Sequence, residues 1–402
     1  MFATPSSAAE AQSTRPEQHS NVRGTESGPM STSPKLTRDP IEWDGSQGFA
    51  HTTTGARVPV TANRTLQLQA ETLLRRAKPV AGAAILLEVA TGNVLAMASL
   101  KTPIYPVEPL FDHAPSASIF KLITTAALLE YSDVTPKTQF CFAGGNRRIE
   151  RKHLTKPLKN GSRCAPFFDA LGFSRNAVYA QVVTEYLMRG ELEAQAKRLG
   201  FNQPVPFDIE VPMGSMQLPF NDLEFARAAA GFQDTSLTPL GVAHLTYAIV
   251  LDGRAGRMRL VAPHEGRVKR ELLGRTMSSN TAWRLRRMME VTVHSGTSLE
   301  AFTNEMGVNY LGDIKTAGKT GTLQKRKSGP TTSWFTGFAP ARAPKVIVTV
   351  LLQNGKVWHR RANEVARDVL RSYFVGRRGV SDPFAKSAKA VPKRAQLNAN
   401  RQ

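Results

Sequence analysis

Strand-like sequence lies at both ends of the ordered part of this chain, with helical sequence between, and that arrangement limits the folds available. Gly82 to Ala90 is an apolar run, Thr91-Gly92-Asn93 is a strong turn signal, and Val94 to Ser99 is a second apolar run. Two such runs around such a turn read as a β-hairpin. Further strands are expected over 316–323, 332–339 and 345–353. Between the two groups, helices are expected over 118–131, 177–188, 192–199, 223–230 and 241–251, and an amphipathic helix over 362–374 closes the chain. The ordered part is expected to begin near Asn63, with a helical pattern through Leu66, Leu68, Leu73 and Leu74 that ends in Arg75-Arg76. The simplest packing joins the hairpin to the late strands. The expected fold class is therefore α/β of the α+β kind: an antiparallel sheet of about five strands flanked by helices, plus an all-helical subdomain over roughly 119–300.

The chain has 402 residues, 41% of them apolar, which is enough for a sizeable core. Lys and Arg outnumber Asp and Glu by 53 to 32, a net charge of +21. So basic a chain favours anionic partners: nucleic acid, anionic lipid or a carboxylate-rich polymer. Neither a zinc-finger spacing nor an aromatic RNP motif is present, so nucleic acid is not expected. Residues 1–60 are rich in Ser, Thr, Gly, Pro and Gln, and they are expected to be disordered, as is the basic tail 377–402. No apolar run approaches the ~20 residues that span a bilayer. Met1 to Gln12 lacks the basic region and apolar core of an export signal. Cys141 and Cys164 read as two ordinary thiols or, in an oxidising compartment, as a disulfide. Their spacing fits no zinc site, and His244, His294 and His359 have no metal-like partners at close spacing, so neither metal nor cofactor is expected.

Three short motifs carry chemistry. Ser118-Ile-Phe-Lys121 opens an apolar helix, and residues three apart share a helix face, so the Lys121 amine approaches the Ser118 hydroxyl. A neutral lysine there accepts the serine proton, while the helix N-terminus favours the developing negative charge. An N-cap serine with an incidental lysine is the plainer account, but a lysine inside an apolar helix is costly to bury without a purpose. Ser174-Arg-Asn176 precedes a second apolar helix. Its plain account is a cap; its functional one is a proton relay at Ser174 and an amide at Asn176 that orients the lysine. Ala317-Gly318-Lys319-Thr320-Gly321-Thr322 lies on an expected strand whose glycines admit a substrate backbone. Lys319, Thr320 and Thr322 offer groups for a carboxylate, and the Thr322 N–H could join that of Ser118 as an oxyanion hole. A phosphate loop would need a helix after Gly-Lys-Thr, whereas here a strand end and a turn follow.

Together and in this order, Ser-x-x-Lys, Ser-x-Asn and Lys-Thr-Gly are the signature of penicillin-binding proteins and class A β-lactamases. The chain resembles the penicillin-binding protein transpeptidase domain over roughly 63–375. The hairpin over 82–99 resembles that family's opening strands, Gly231 to Leu240 its Gly-Gln-Gly…Thr-Pro-Leu segment, Ser295 to Ser298 its Gly-Thr-Ala segment, and Trp334 to Pro340 its following strand. The resemblance implies a β-lactamase/transpeptidase-like domain over 61–376, with Ser118 acylated by a D-Ala-D-Ala stem peptide or a β-lactam and Lys121 as the acylation base. It implies a relay at Ser174, with Asn176 holding Lys121 and substrate. Lys319, Thr320, Gly321 and Thr322 would receive the terminal carboxylate and substrate backbone. It also implies a place on the periplasmic or extracytoplasmic face of the envelope. The chain departs from the family at Phe232-Gln233, where a second glycine is usual, and residues 1–60 are too short for a pedestal or glycosyltransferase domain.

D,D-transpeptidation in peptidoglycan cross-linking is the leading expectation, and the basic composition suits a carboxylate-bearing glycan-peptide polymer. A D,D-carboxypeptidase or a class D-like β-lactamase would use the same acylation with water as acceptor. The second motif of class D enzymes usually ends in an apolar residue, which Asn176 is not. A non-catalytic β-lactam sensor would normally be tied to membrane helices. Glu210 lies where a class A β-lactamase would hold its deacylating carboxylate, but Phe207 to Pro212 resembles instead the penicillin-binding Ile-Asp-Leu-Pro turn. Trp334 is expected to pack in the site wall.

Overall fold

The computed structural model describes residues 34–145, 148–157, 162–263, 269–324 and 329–375. Its centre is a five-stranded antiparallel sheet in the spatial order Ala317–Gln324, Thr331–Ala339, Val346–Asn354, Ala81–Glu88 and Val94–Leu100. The hairpin therefore meets the late strands through Ala84 opposite Val350. Every residue of Val346–Asn354 is buried, as its nearly continuous apolar sequence requires of a strand covered on both faces. Successive side chains alternate between two cores: Ile347 and Leu351 enter one, and Val348, Val350 and Leu352 enter the other.

The second core is closed by the first and last helices. Arg64–Ala77 buries Leu66, Ala70, Leu74 and Ala77, one stripe at helical spacing. The side chain of Asn63 accepts the Leu66 N–H at 3.1 Å to start this helix, and Arg75 and Arg76 complement the dipole at its end. Ala362–Phe374 buries Ala362, Val365, Ala366, Val369 and Leu370. Each fully buried aliphatic side chain of this kind contributes about 1.5–3 kcal/mol, so these two stripes fasten the helices to the sheet.

The opposite face carries the helices Lys121–Tyr131, Asn176–Tyr186, Arg189–Arg198, Asp222–Ala229, Pro239–Val250 and Ser279–His294. Pro239–Val250 is buried along its whole length, as an all-apolar helix must be. The region is not all-helical. Small sheets pair Gln139–Phe142 with Arg163–Pro166, Arg254–Gly256 with Leu272–Arg275, and Thr235–Leu237 with both Ala114–Pro115 and Gly214–Met216. Strands of two to four residues are too short to carry a readable alternation. Cys141 faces Cys164 in the first of these ribbons, and the two are joined as a disulfide.

The expectation of disorder through residue 60 needs correction, and with it the domain start at 61. Glu42–Asp44, Gln47–His51 and Arg57–Pro59 form a three-stranded antiparallel sheet. Leu36, Ala50 and Val60 are buried in the larger core. Polar composition hid this segment because its few apolar residues are buried by contact with the main body rather than with one another. Residues 1–33 and the tail 377–402, also expected to be disordered, lie outside the described residues. Among the described residues no helix is long and apolar enough to cross a membrane.

Candidate active site

Ser118 is not the first residue of the long helix. It sits in a short 3-10 turn, Ala117–Ile119, and the helix begins at Lys121. The turn is held in a strained form. Ala117 has φ 47°, a left-handed conformation that non-glycine residues rarely adopt. Gly231, with φ +84°, packs so close that a Cβ there would lie 1.8 Å from the Ala117 carbonyl oxygen. This close approach is what the Gly231 segment provides. The neighbouring departure, Gln233, turns its side-chain amide to the carboxylates of Glu224 and Asp234 and leaves Ser118 untouched.

The strand Ala317–Gln324 is the edge strand of the main sheet, so one row of its backbone N–H and C=O groups is left unpaired by the sheet. A Cβ on Gly321 would lie 3.3 Å from the Ser118 nitrogen and 3.2 Å from the Ala117 Cβ. The glycine thus sets how closely the strand lies on the serine turn. The backbone nitrogens of Ser118 and Thr322 consequently belong to neighbouring segments.

Lys121 is fully buried. Its Nζ lies 3.2 Å from the Ser118 hydroxyl, 3.1 Å from the Ser174 carbonyl and 3.2 Å from the Ser174 hydroxyl, and it donates to Asn176 Oδ1. Ser174 reaches inward through a left-handed backbone, φ 56°. Its hydroxyl also accepts from Lys319 Nζ at 3.1 Å, and the same ammonium reaches the Thr320 carbonyl at 2.8 Å. One hydroxyl therefore bridges two buried lysines, as a proton relay requires. Burial pushes the Lys121 amine well below the usual lysine range, and the nearby Lys319 charge adds to the effect. Burial alone brings Lys319 down to about 7. A neutral Lys121 has two N–H donors and one lone pair. The Ser174 carbonyl and Asn176 Oδ1 can only accept, so they take the donors and leave the lone pair for a hydroxyl. That is the arrangement a general base for Ser118 needs.

All eight residues singled out in the sequence gather here. Six of them, Ser118, Ser174, Asn176, Thr320 and Thr322 on the walls with Gly321 between the last two, surround a cleft of about 440 Å³, and Lys121 and Lys319 lie beneath its floor. The walls also include Phe173, Thr297, Ser333, Trp334, Trp358, Arg361 and Asn363. Trp334 is a buried wall residue, donating its indole N–H to the Pro115 carbonyl at 2.8 Å. Thr297 was not singled out as a site residue, although it lies in the Ser-Gly-Thr-Ser segment. Its hydroxyl is 2.6 Å from that of Thr320. Trp358, Arg361 and Asn363 had no motif to mark them. Glu210 is exposed and absent from the cleft walls; its backbone carbonyl accepts from Arg38. His244 is buried, and burial lowers its pKa to about 4. No group of three or more His, Cys, Asp or Glu among the described residues could hold a metal ion.

The disulfide ribbon lies against the second motif. The Arg175 guanidinium stacks 4.8 Å from the ring centroids of Phe142 and Phe173. A Cβ on Gly145 would lie 2.6 Å from the Ala177 Cβ. The strand that carries Cys164 runs directly into the helix Phe167–Gly172, and the chain from that helix delivers Ser174.

The chain is similar to several known proteins. The penicillin binding protein transpeptidase domain matches residues 82–372. The chain is 28% identical to peptidoglycan D,D-transpeptidase PbpA of Mycolicibacterium smegmatis, over 69% of its own length and 62% of that protein. It is 25% identical to stage V sporulation protein D of Bacillus subtilis, over 62% of its own length and 39% of that protein. The chain thus spans at most 62% of the length of these curated relatives. The D,D-transpeptidase domain of a peptidoglycan glycosyltransferase from Eggerthella lenta has a TM-score of 0.63 and 26% identity, covering 79% of this chain and 82% of that one. Penicillin-binding protein A from M. tuberculosis, solved as a ceftriaxone acyl-enzyme complex, shares the fold with a TM-score of 0.63 at 22% identity, covering 78% of this chain and 79% of that one.

Proposed function

The chain belongs to the penicillin-binding protein transpeptidase domain family, and on that footing we propose that it is a peptidoglycan D,D-transpeptidase acting through an acyl-enzyme on Ser118. The observation that carries the reading is the Lys121 amine, buried and within 3.2 Å of the hydroxyls of both Ser118 and Ser174. Ser118 Oγ attacks the carbonyl carbon of the penultimate D-Ala of a stem peptide, and its proton passes to the neutral Lys121 amine. The backbone N–H groups of Ser118 and Thr322 stabilise the oxyanion. Its collapse expels the terminal D-Ala, whose amine takes the proton from Lys121 through the Ser174 hydroxyl. Lys319, Thr320 and Thr322 hold the terminal carboxylate. An amine of a second stem peptide then attacks the ester carbonyl, gives up a proton by the reverse route, and Ser118 Oγ regains one. A β-lactam acylates Ser118 by the first half of this sequence. The reaction takes place on the extracytoplasmic face of the envelope, where the polymer lies and where a Cys141–Cys164 disulfide persists.

Labelling with a fluorescent penicillin tests the proposal. One covalent label per chain is expected, and none on Ser118→Ala; label surviving on that variant would refute the assignment. Among the readings in which water takes the acyl group, a class D-like β-lactamase is disfavoured by Asn176, which stands where those enzymes usually carry an apolar residue and here accepts from Lys121. Sustained turnover of a chromogenic cephalosporin would revive it.

A further inference from the structure

Among the described residues that wall the cleft, Arg361 is the one with a charged side chain. Lys121 and Lys319 lie below the floor, already engaged with Ser174, Asn176 and Thr320. Arg361 is exposed, and its guanidinium forms no salt bridge with a carboxylate of the described residues. Its neighbours in sequence differ: Arg360 is paired with Asp368, as is Arg367. The backbone beneath Arg361 is firmly fixed. Its N–H donates to Glu364 Oε2 at 2.6 Å, the Ala362 N–H donates to the Ser333 hydroxyl at 3.3 Å, and Asn363 Nδ2 donates to the Ser298 hydroxyl at 3.1 Å. A cation with no carboxylate partner among the described residues thus borders a cleft that has no acidic residue among its described walls.

Its backbone is anchored over the strand next to the one that carries Thr320 and Thr322. Ser333 stands opposite Thr322 in the sheet, and Ala362 rests on Ser333. Arg361 therefore enters from one strand spacing, about 4.8 Å, beyond the Lys-Thr-Gly strand. Trp358, half-buried on the same connection, supplies an apolar wall beside it. We propose that Arg361 anchors a second anionic subsite, which takes a free carboxylate of the acyl donor other than the terminal one. The matching chemistry is an unamidated dicarboxylic amino acid upstream of the attacked bond. This subsite deepens the transpeptidase reading and rests on it.

Carbenicillin and benzylpenicillin are suitable probes, because they differ by one side-chain carboxylate while sharing the ring carboxylate. The second-order rate of Ser118 acylation is measured for both on the wild-type chain, Arg361→Gln and Arg361→Lys, each checked for an unchanged thermal midpoint. The carbenicillin-to-benzylpenicillin ratio is expected to fall about fivefold in Arg361→Gln, the scale of an exposed charge pair, and to be largely restored in Arg361→Lys. The wild-type ratio should also fall towards that of Arg361→Gln as salt is raised. A ratio that does not change in Arg361→Gln overturns the subsite: parallel losses would place Arg361 on the shared ring carboxylate, and no loss would make it a bystander. A wild-type chain that neither penicillin acylates would defeat the transpeptidase reading instead, so the two failures are distinguishable.

Discussion

Lys319 is fully buried, and among the described residues its charge is met by the Ser174 hydroxyl and the Thr320 carbonyl. That burden sets a pH dependence. Its pKa is about 7 in the folded chain against 10.5 in the ordinary state. Below about 7 the folded and unfolded chains are both protonated, and folding bears the whole cost of the buried charge. Between there and 10.5 only the unfolded chain holds the proton, so stability rises with pH, and above 10.5 the cost is gone. Lys319→Met should therefore abolish penicillin acylation yet raise stability at pH 6 by about 1–3 kcal/mol, the desolvation cost of the charge less the two hydrogen bonds lost. The gain should shrink as pH climbs towards 10.5. Thermal midpoints across pH check this; a midpoint lowered equally at every pH would mean Lys319 acts only through its hydrogen bonds. The three motifs that gather around the cleft were legible in sequence because the chemistry proposed for them restricts identity and spacing. Arg361 was not, and Thr297 was marked only as part of the Ser295 to Ser298 segment, because a cleft wall is assembled from segments whose adjacency no local spacing records.

At the scale of the element, a helix or strand was readable where its burial was periodic. Ala362–Phe374 follows its apolar stripe from end to end. Ser279–His294 escaped because Arg284, Arg286 and Arg287 interrupt a stripe that nonetheless buries Ala282, Leu285, Met288 and Met289. The serine turn departs from the expected helix start for a different reason. Its backbone is set by a distant glycine, and propensity is silent about such contacts. Gly231→Ala should accordingly displace Ala117 and Ser118 together. A Cβ at 1.8 Å and a φ of +84° leave no relaxed arrangement, so the cost should exceed about 3 kcal/mol. The folded fraction should also acylate at least tenfold more slowly, since misplacement of about 1 Å can cost a hundredfold. Urea titration with parallel penicillin labelling measures both; normal labelling per folded chain would show that the turn keeps its form without this contact.

For the molecule as a whole, one sheet made from both ends of the ordered sequence was foreseeable, since neither end could bury its strands alone. The sheet over 42–59 was not foreseeable, because its apolar residues are few and are buried against distant parts of the fold, Leu36 bridging to Ile209. A chain beginning at Thr61 would lose the burial of Leu36, Ala50 and Val60. It should be less stable by about 2–4 kcal/mol on the area scale of aliphatic burial, lowering the thermal midpoint by several degrees while Ser118 still labels. An unaltered midpoint would show that this sheet contributes nothing to the main core. The pairing of Ala81–Glu88 with Val346–Asn354 also bears on biosynthesis. Contacts between residues so far apart in the chain form late and slowly. A ribosome that has made the serine helix must add more than two hundred further residues before the partner strand of the hairpin exists. Until then the apolar hairpin has the helix Arg64–Ala77 against one face but no strand along its open edge, and the growing polypeptide depends on chaperones or on speed to escape aggregation.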